Sequence, residues 1–300
     1  MNQSYDRWEL ILIDDFSTDG TRQFLEGLVN KSKKVITIFN SKNKGANFCR
    51  NKGLELSQGD FMFFFDADDL MSENCLENRV KALNDNPGIG LLVFNMGGFT
   101  SDIGDQPKSK NWIVPDGNTN LLSLFFKHQI PWGTPQVLWK KDIIESLGGF
   151  NLNYTRLQDV ELHTRALLRG FKVKTFPESS LDIHYRIDES RINFKKDIFY
   201  QRFVDSCVQY YQDFYIQVRT DSQRRELVGT LFEAISIVVF QRRIKSLDKN
   251  KTSQLVNQII ESCASKTQRV LLKVYCFLEK IAPFHPKGLK LLFKYLLRLG

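Results

Sequence analysis

The segment Gly59-Asp-Phe-Met-Phe-Phe-Phe-Asp-Ala-Asp-Asp69 joins an apolar run to an acidic turn. Its apolar run, Phe61–Phe65, is short, rich in aromatic side chains and stopped by a turn, which predicts a strand. Three carboxylates follow within four residues, at Asp66, Asp68 and Asp69. Ligands of open parallel sheets bind beyond the carboxyl ends of the strands. This acidic turn is therefore the first candidate for a binding site.

The flanking residues alternate between strand and helix patterns. Short apolar runs predict strands at Glu9–Ile13, Val35–Phe39, Gly90–Asn95, Gln136–Trp139 and Val173–Phe176. Helical spacing predicts helices near 21–29, at Ala46–Ser57, from Ser72 to about Leu83, near Leu121–Lys127 and at Val160–Leu168. The alternation predicts an α/β fold with a mainly parallel sheet flanked by helices. Residues 97–120 are predicted to form a surface loop, and the pattern beyond about Asp188 is helical.

Charge divides the chain into an acidic front and a basic back. Residues 1–170 contain 19 Lys or Arg and 21 Asp or Glu, whereas residues 171–300 contain 23 and 13. The five Cys form no CxxC pair, which argues against a disulfide framework or a thiolate zinc site. The first residues lack the apolar core of a signal peptide, and no apolar run approaches the roughly 20 residues of a membrane span. We therefore expect a cytoplasmic protein that meets a membrane at most at its surface.

The acidic turn has two interpretations. Carboxylates this close together repel one another, and a hard divalent cation with oxygen ligands would compensate their charge. Asp66 and Asp68 have the spacing that directs two side chains of an extended segment to the same side. The alternative is an acidic turn that is simply solvated.

Six segments, taken in order, resemble the inverting glycosyltransferases of family 2. They are Trp8–Thr21, Asn43–Gly53, Gly59–Asp69, Leu147–Phe150, Gln158–Leu162 and His184–Ser190. The resemblance covers about 180 residues and implies the GT-A fold, a Rossmann-like sheet that binds nucleotide-sugars. We expect this domain to occupy residues 1–190 and a basic helical region to occupy residues 191–300.

The resemblance implies a donor site. Asp15 matches the carboxylate that accepts a hydrogen bond from the uracil ring of a UDP-sugar. Arg50 matches a position near the nucleotide, although an Arg on a helix surface can equally serve an ion pair. Asp66 and Asp68 match the DxD pair that touches the ribose and the metal bound to the diphosphate, and Asp69 could share that metal. The implied ion is Mg²⁺ or Mn²⁺, which neutralises charge on the leaving diphosphate.

The resemblance also implies a catalytic base. Asp159 matches the residue that takes the proton from the acceptor hydroxyl, although the usual Glu-Asp pair is Gln158-Asp159 here. Asp159 could also cap the following helix. His184 lies where some relatives place a metal or phosphate ligand, and a buried core His is the alternative. Trp132 lies in the region that tends to meet the acceptor, and its ring suits either sugar stacking or core packing.

The chain departs from the family at its start. Relatives place a strand and a helix before the segment that matches Trp8–Thr21, and roughly thirty residues of that pattern have no counterpart before Met1. The expectation is a domain that lacks its first strand and is poorly stable and poorly active as written, because a lost central strand leaves sheet edges unpaired.

The basic C-terminal region has the pattern of amphipathic helices. Apolar residues recur at helical spacing at Val270, Leu271, Val274, Tyr275, Leu278, Ile281 and Ala282. After Pro283 and Pro286, cations recur about every four residues at Lys287, Lys290, Lys294 and Arg298. Such helices can lie on anionic lipid, or can pack on the protein with a solvated Lys face. We expect no nucleic-acid partner, because the region has no recognisable reading motif.

Two functions are carried forward. The first is a metal-dependent inverting glycosyltransferase that moves a sugar from a nucleotide-sugar, a UDP-sugar by preference, to a hydroxyl of a glycan or lipid-linked glycan. The expected setting is bacterial surface polysaccharide synthesis at the inner face of the cell membrane. The alternative is a non-catalytic, truncated relative that binds nucleotide or the membrane surface.

Overall fold

The computed structural model describes residues 2–29, 32–188, 196–243, 247–281 and 287–299. The chain divides into two compact units. The first, the sheet unit, comprises Met1–Thr119, Pro131–Asn153 and Gln158–Asp188. The second, the helical unit, comprises Asn120–Ile130, Tyr154–Leu157 and Glu189–Gly300. Some sequence expectations lie outside the described residues. They are the end of the His184–Ser190 segment, the boundary at residue 190, Ala282, Pro283 and Pro286.

The described elements follow the predicted alternation. The strands are β1 Leu10–Asp14, β2 Val35–Phe39, β3 Phe61–Phe63, β4 Leu70–Met71, β5 Leu91–Phe94, β6 Gly97–Phe99, β7 Val137–Lys140, β8 Val173–Phe176 and β9 Ile183–Arg186. The helices are α1 Thr21–Val29, α2 Ala46–Leu56, α3 Cys75–Asn84, α4 Leu121–Phe126, α5 Lys141–Ser146, α6 Gln158–Leu168, α7 Lys196–Tyr215, α8 Asp221–Arg243, α9 Lys249–Ser262, α10 Lys266–Ile281 and α11 Lys287–Leu299. The α/β class and the helical C-terminal region are confirmed.

The sheet unit contains three sheets. The largest has the order β3-β7-β5-β8, and its strand β5 is buried along its whole length, as an apolar central strand should be. Strand β7 runs antiparallel to both β3 and β5, while β5 and β8 are parallel. The sheet is therefore mixed, with one reversed strand between parallel ones. A small sheet has the order β4-β9-β6. Its strand β6 lies at the start of segment 97–120, where the sequence predicts a surface loop.

Among the described strands, β1 and β3 each have a hydrogen-bonded neighbour along one edge only. In the described part of the chain, β1 pairs with β2 and β3 pairs with β7, and neither has a partner along its other edge. Both strands are apolar, yet most of their residues are only partly buried. Phe61 and Phe65 are 39% and 37% exposed. The expectation that a further strand belongs to this domain stays a prediction.

The core of the sheet unit surrounds a buried ion pair. The Arg79 guanidinium on α3 lies 2.8 Å from the Asp182 carboxylate, and both side chains are at most 4% exposed. The same guanidinium lies 4.1 Å from the centre of the Phe94 ring of β5. The backbone oxygen of Asp182 accepts a hydrogen bond from Ser72 N at 2.9 Å. This pair therefore links α3 to the segments that precede β9 and follow β4.

The helical unit is organised around α8. This helix contacts α4, α7, α9, α10 and α11, and it buries Leu227, Leu231, Phe232, Ile235 and Val238 completely. No helix in the described ranges is long and apolar enough to cross a membrane.

The orientation of α11 differs from the sequence expectation. Lys290 Nζ lies 2.8 Å from a carboxylate oxygen of Glu233 on α8, and Lys294 pairs with the same carboxylate. Glu233 is largely buried, and these two hydrogen bonds, opposing the effect of burial, lower its pKa. Two of the predicted basic positions are thus paired with the protein and only partly exposed.

Candidate active site

Asp15 follows β1 and organises the start of α2. Its carboxylate accepts hydrogen bonds from Asn40 Nδ2 at 2.9 Å, Lys44 N at 2.8 Å and Gly45 N at 2.7 Å. Burial alone would raise the pKa of Asp15, but these hydrogen bonds outweigh it and lower that pKa. The Cys49 thiol is a fourth hydrogen-bond partner of the same carboxylate. The uracil contact stays a prediction.

Arg50 connects α2 with the acidic turn. Its Nη2 lies 2.8 Å from Asp66 Oδ1, and its guanidinium is 5.3 Å from the centre of the Phe150 ring. The positive charge of Arg50 also lowers the pKa of Asp159, against the larger effect of burial. Arg50 is therefore in an ion pair with Asp66, and its position near the nucleotide stays a prediction.

The acidic turn crowds negative charge. Asp69 is half-buried, and burial, reinforced by the neighbouring Asp66 and Asp68 carboxylates, raises its pKa to about 6. Asp69 Oδ1 accepts a hydrogen bond from Arg186 N at 2.9 Å, which opposes that rise. The Arg186 side chain donates to the carbonyl oxygens of Asp68 at 3.1 Å and Thr100 at 2.7 Å. Arg186 thus holds the backbone of the turn.

The fit of a divalent cation can be judged from the donor chemistry. Crowded carboxylate oxygens suit Mg²⁺ or Mn²⁺, and the Asp66 and Asp68 charges add to the effect of burial that raises the pKa of Asp69. However, no three acidic, His or Cys side chains are gathered as a ready metal cluster in the described residues. The turn therefore fits an ion in charge and ligand type, with the remaining positions left to water and diphosphate oxygens.

His184 lies in β9, with its backbone opposite Leu70 of β4. The side chain is buried, and its Nδ1 occupies the space beside Gly97 of β6, only 2.7 Å from where a Cβ on that glycine would lie. Burial lowers the pKa of His184, although the Leu181 backbone and the Asp182 charge oppose the shift. This packing explains a glycine at position 97. The role of His184 as a metal ligand stays a prediction.

Asp159 is the second residue of α6. Its Oδ1 accepts a hydrogen bond from Val160 N at 2.9 Å and its Oδ2 accepts one from Thr134 N at 3.2 Å. Burial raises the pKa of Asp159 even though both hydrogen bonds and Arg50 oppose the shift. A raised pKa makes the carboxylate a stronger base. Asp159 stabilises the helix start, and this does not compete with its proposed role as a base.

Hydrogen bonds fix α6 and α2 to the same segment. Arg165 of α6 donates to the carbonyl oxygen of Gly149 at 2.9 Å. Asn51 of α2 donates to Phe150 O at 2.8 Å and accepts from Phe150 N at 2.7 Å. The helices that carry Asp159 and Arg50 are therefore held in a defined relation.

The aromatic residue near Asp159 is not the one expected. Trp132 is completely buried, with its ring 5.8 Å from that of His163, so core packing accounts for it. Trp112 is instead half-buried beside Gly133. A Cβ on Gly133 would lie 3.3 Å from the Trp112 ring and 3.6 Å from Asp159 Oδ2. Sequence reasoning missed Trp112 and Arg186, although Arg186 lies within the quoted His184–Ser190 segment.

Known proteins share parts of this sequence. Residues 1–147 match the family model described as glycosyl transferase family 2. An uncharacterized glycosyltransferase of Haemophilus influenzae is 41% identical over 86 residues, which are 29% of this chain and 34% of that protein. TuaG of Bacillus subtilis, named for teichuronic acid biosynthesis, is 37% identical over 81 residues, which are 27% of this chain and 32% of that protein. The chain thus spans about a third of the length of these curated relatives.

Solved structures share the fold over nearly the whole chain. TarS residues 1–349 of S. aureus, in complex with UDP-GlcNAc, superposes with a TM-score of 0.66 at 15% identity, covering 99% of this chain and 84% of that one. The mannosyltransferase PcManGT of Pyrobaculum calidifontis, in complex with GDP-Man and Mn²⁺, gives a TM-score of 0.53 at 15% identity, with 99% and 78% coverage. At such low identity these neighbours establish the fold. The match assigns residues 1–147 to glycosyltransferase family 2, and the matching proteins are glycosyltransferases, enzymes of the transferase class.

Proposed function

We propose that the chain transfers a sugar, with inversion, from a nucleotide-sugar to a hydroxyl of a glycan or lipid-linked glycan. The carrying observation is that Arg50 bonds Asp66 at 2.8 Å while its charge also acts on Asp159. An acid of the donor turn and a buried carboxylate with a raised pKa therefore share one cation. A single displacement requires the donor and the base to lie close together, and this shared cation supports that proposal.

In the proposed reaction, Asp159 accepts the proton of the acceptor hydroxyl as that oxygen attacks the anomeric carbon. The bond from that carbon to the diphosphate oxygen breaks, and the electron pair leaves with the nucleoside diphosphate. Attack from the face opposite the leaving group inverts the configuration. Asp15 would orient the base of the nucleotide, and Asp66 the ribose. Mg²⁺ or Mn²⁺, held by Asp68 and Asp69 with His184 as a further candidate ligand, would neutralise charge on the diphosphate.

Three kinds of support favour the finer parts of this proposal. TarS was solved with UDP and with UDP-GlcNAc, which favours a UDP-sugar donor. PcManGT was solved with Mn²⁺, which favours a divalent ion. TuaG is named for a bacterial surface polymer, which favours polysaccharide biosynthesis. We place the reaction in the cytoplasm, at the inner face of the cell membrane.

Trp112 is the proposed acceptor platform. Its half-buried ring lies beside Gly133 and the Asp159 carboxylate. Aromatic faces suit the apolar faces of sugar rings. Trp112→Ala should raise KM for the acceptor more than KM for the donor, whereas Trp112→Phe should restore part of the loss. Equal effects on both KM values would contradict this role.

The test is a screen of nucleotide-sugars for release of the nucleoside diphosphate, with Mn²⁺, with Mg²⁺ and with EDTA. Asp159→Asn should lower turnover by about 10²–10⁴-fold while leaving UDP binding intact. Asp142→Asn is the matched control, because Asp142 is also the second residue of a helix and accepts a 2.8 Å hydrogen bond from the next N–H. UDP binding without turnover under every condition would replace this proposal with the non-catalytic alternative.

A further inference from the structure

The two C-terminal helices carry a concentration of exposed apolar side chains. Ten large apolar side chains are exposed in the described part of the helical unit, and six of them lie on α10 and α11. The six are 41–70% exposed and comprise Val270, Val274, Phe277, Leu291, Leu292 and Tyr295. We call this set the outer apolar face.

This face exists in addition to a complete packed interior. Tyr275 of α10 lies 4.8 Å from the Phe232 ring of α8 and 5.3 Å from the Phe293 ring of α11. Leu272 and Leu297 are also buried, and Gln268 Nε2 donates to Leu297 O at 2.8 Å. Each helix therefore already buries one side against its neighbours. The exposed side is a second apolar surface, which the fold of the unit does not need.

The charge on α10 and α11 is predominantly positive. Helices α10 and α11 contain eight Lys or Arg and one Glu. Lys290 and Lys294 are occupied by Glu233, so they do not define the outer surface. Lys266, Lys273 and Arg298 are exposed. Lys273 is within four residues of all three apolar residues of α10.

We infer that the outer apolar face of α10 and α11 docks on an anionic lipid bilayer, with its apolar side chains inserted and the exposed cations at the headgroups. Lipid that offers both an acyl layer and negative headgroups matches both properties of the face. A helix that lies at the membrane–water interface combines exposed apolar side chains with Lys and Arg, and it does not have to span the membrane. The inference rests on the membrane location in the proposed function. It assigns the lipid contact to the outer apolar face, not to the row of cations that recurs at Lys287, Lys290, Lys294 and Arg298 of α11.

The orientation of α11 makes this distinct from the sequence expectation. A lysine stripe facing lipid predicts that Lys290→Gln weakens membrane binding. The structure predicts that Lys290→Gln leaves membrane binding unchanged, because that lysine faces Glu233. The structure also predicts that Lys273→Gln, which removes an exposed cation, weakens membrane binding and makes that binding less sensitive to salt.

The experiment is flotation of the whole chain with vesicles of phosphatidylcholine, with and without phosphatidylglycerol, in the absence of donor and acceptor. Wild type should float with the anionic vesicles. The triple variant Phe277→Ser, Leu291→Ser, Tyr295→Ser should bind these vesicles at least about tenfold more weakly than wild type, because three apolar side chains are removed. The matched control is Ile216→Ser with Phe240→Ser, which removes exposed apolar side chains elsewhere in the same unit and should not change binding.

Circular dichroism and thermal melting establish that each variant is folded. Wild type that fails to float with anionic vesicles would overturn the inference, as would triple and control variants that bind equally. Light scattering with gel filtration tests for a second copy. A wild-type dimer that becomes monomeric in the triple variant, without vesicle binding, would assign the face to self-association instead. Sugar transfer is measured separately on a soluble acceptor, so either proposal can fail alone.

Discussion

Breaking the buried pair of Arg79 and Asp182 should strongly destabilise the sheet unit. Both side chains are at most 4% exposed, and their charged atoms are 2.8 Å apart. Asn78 donates a second hydrogen bond to the same carboxylate oxygen at 3.2 Å. Removing either partner would leave the other charge buried and unpaired. Loss of one partner of such a pair costs about 3–5 kcal/mol.

The magnitude converts into a measurable melting shift. In a unit of this size each kcal/mol corresponds to about 2–4 °C, so Arg79→Met and Asp182→Asn should each lower the transition of the sheet unit by roughly 6–20 °C. Calorimetry is the suitable assay, since two units can give two transitions. Activity measured well below the transition should fall as well, because Asp182 precedes β9, whose residues pair with β4 next to the acidic turn.

A double variant separates charge burial from packing. Arg79→Met combined with Asp182→Leu removes both charges and should be less destabilised than the sum of the single variants. Lys52→Met is the control, because the Lys52–Glu55 pair on α2 is partly exposed and should contribute about 0–1 kcal/mol. Single variants that melt like wild type, or a double variant that is fully additive, would refute the reasoning.

Three further predictions concern protonation and backbone geometry. Because burial raises the pKa of Asp159, kcat/KM should decline on acidification with a pKa above the ordinary value of about 3.9, as a pH–rate profile would reveal. Burial lowers the pKa of His163 to about 3, whereas the unfolded chain has the ordinary value of about 6.5. The free energy of unfolding should therefore be highest above about pH 6.5 and should fall as the pH drops from 6.5 towards 3, because only the unfolded chain takes up the proton. His163→Phe should remove this pH dependence, which reaches about 1.4 kcal/mol per pH unit and is measured by denaturant unfolding. Gly149 has φ +70° and a Cβ there would collide with Asn51 Oδ1, so Gly149→Ala should lower stability more than Gly148→Ala, where φ is +80° and the space is open.

The elements could be predicted because their signals are local. The apolar runs at Val35–Phe39 and Val173–Phe176 coincide with β2 and β8 residue for residue. The helix predicted at Ala46–Ser57 is α2, which ends one residue earlier. Helical spacing and short apolar runs are properties of neighbouring residues, so no knowledge of distant contacts is needed.

Strand direction and helix orientation could not be predicted from local signals. The reversed direction of β7 depends on its pairing with β3 and β5, and nothing within Val137–Lys140 encodes those partners. The inward direction of Lys290 depends on Glu233, which lies 57 residues earlier. A repeating lysine pattern predicts a face, but which face is buried depends on the neighbouring helix.

The candidate site was predicted in its parts and not in its connections. Asp66 and Asp159 were assigned from the family resemblance, and their roles stay predictions. Their common link through Arg50 required the structure, as did the support from Arg186 beneath the acidic turn. Trp112 was missed because residues 97–120 have no periodic pattern that would single out one aromatic side chain.

The asparagines of α2 show why separate segments of the chain share one geometry. Asn47 donates to Asn151 O at 2.8 Å, and Asn51 makes two hydrogen bonds with Phe150, about a hundred residues away. Arg50 lies between these two positions, so they fix its backbone, while its guanidinium is held by Asp66. The segment Leu147–Phe150 is also held by Arg165 from α6. The helices that carry Arg50 and Asp159 are therefore positioned by amide and guanidinium contacts to one short backbone segment, which explains how residues far apart in the sequence share one geometry.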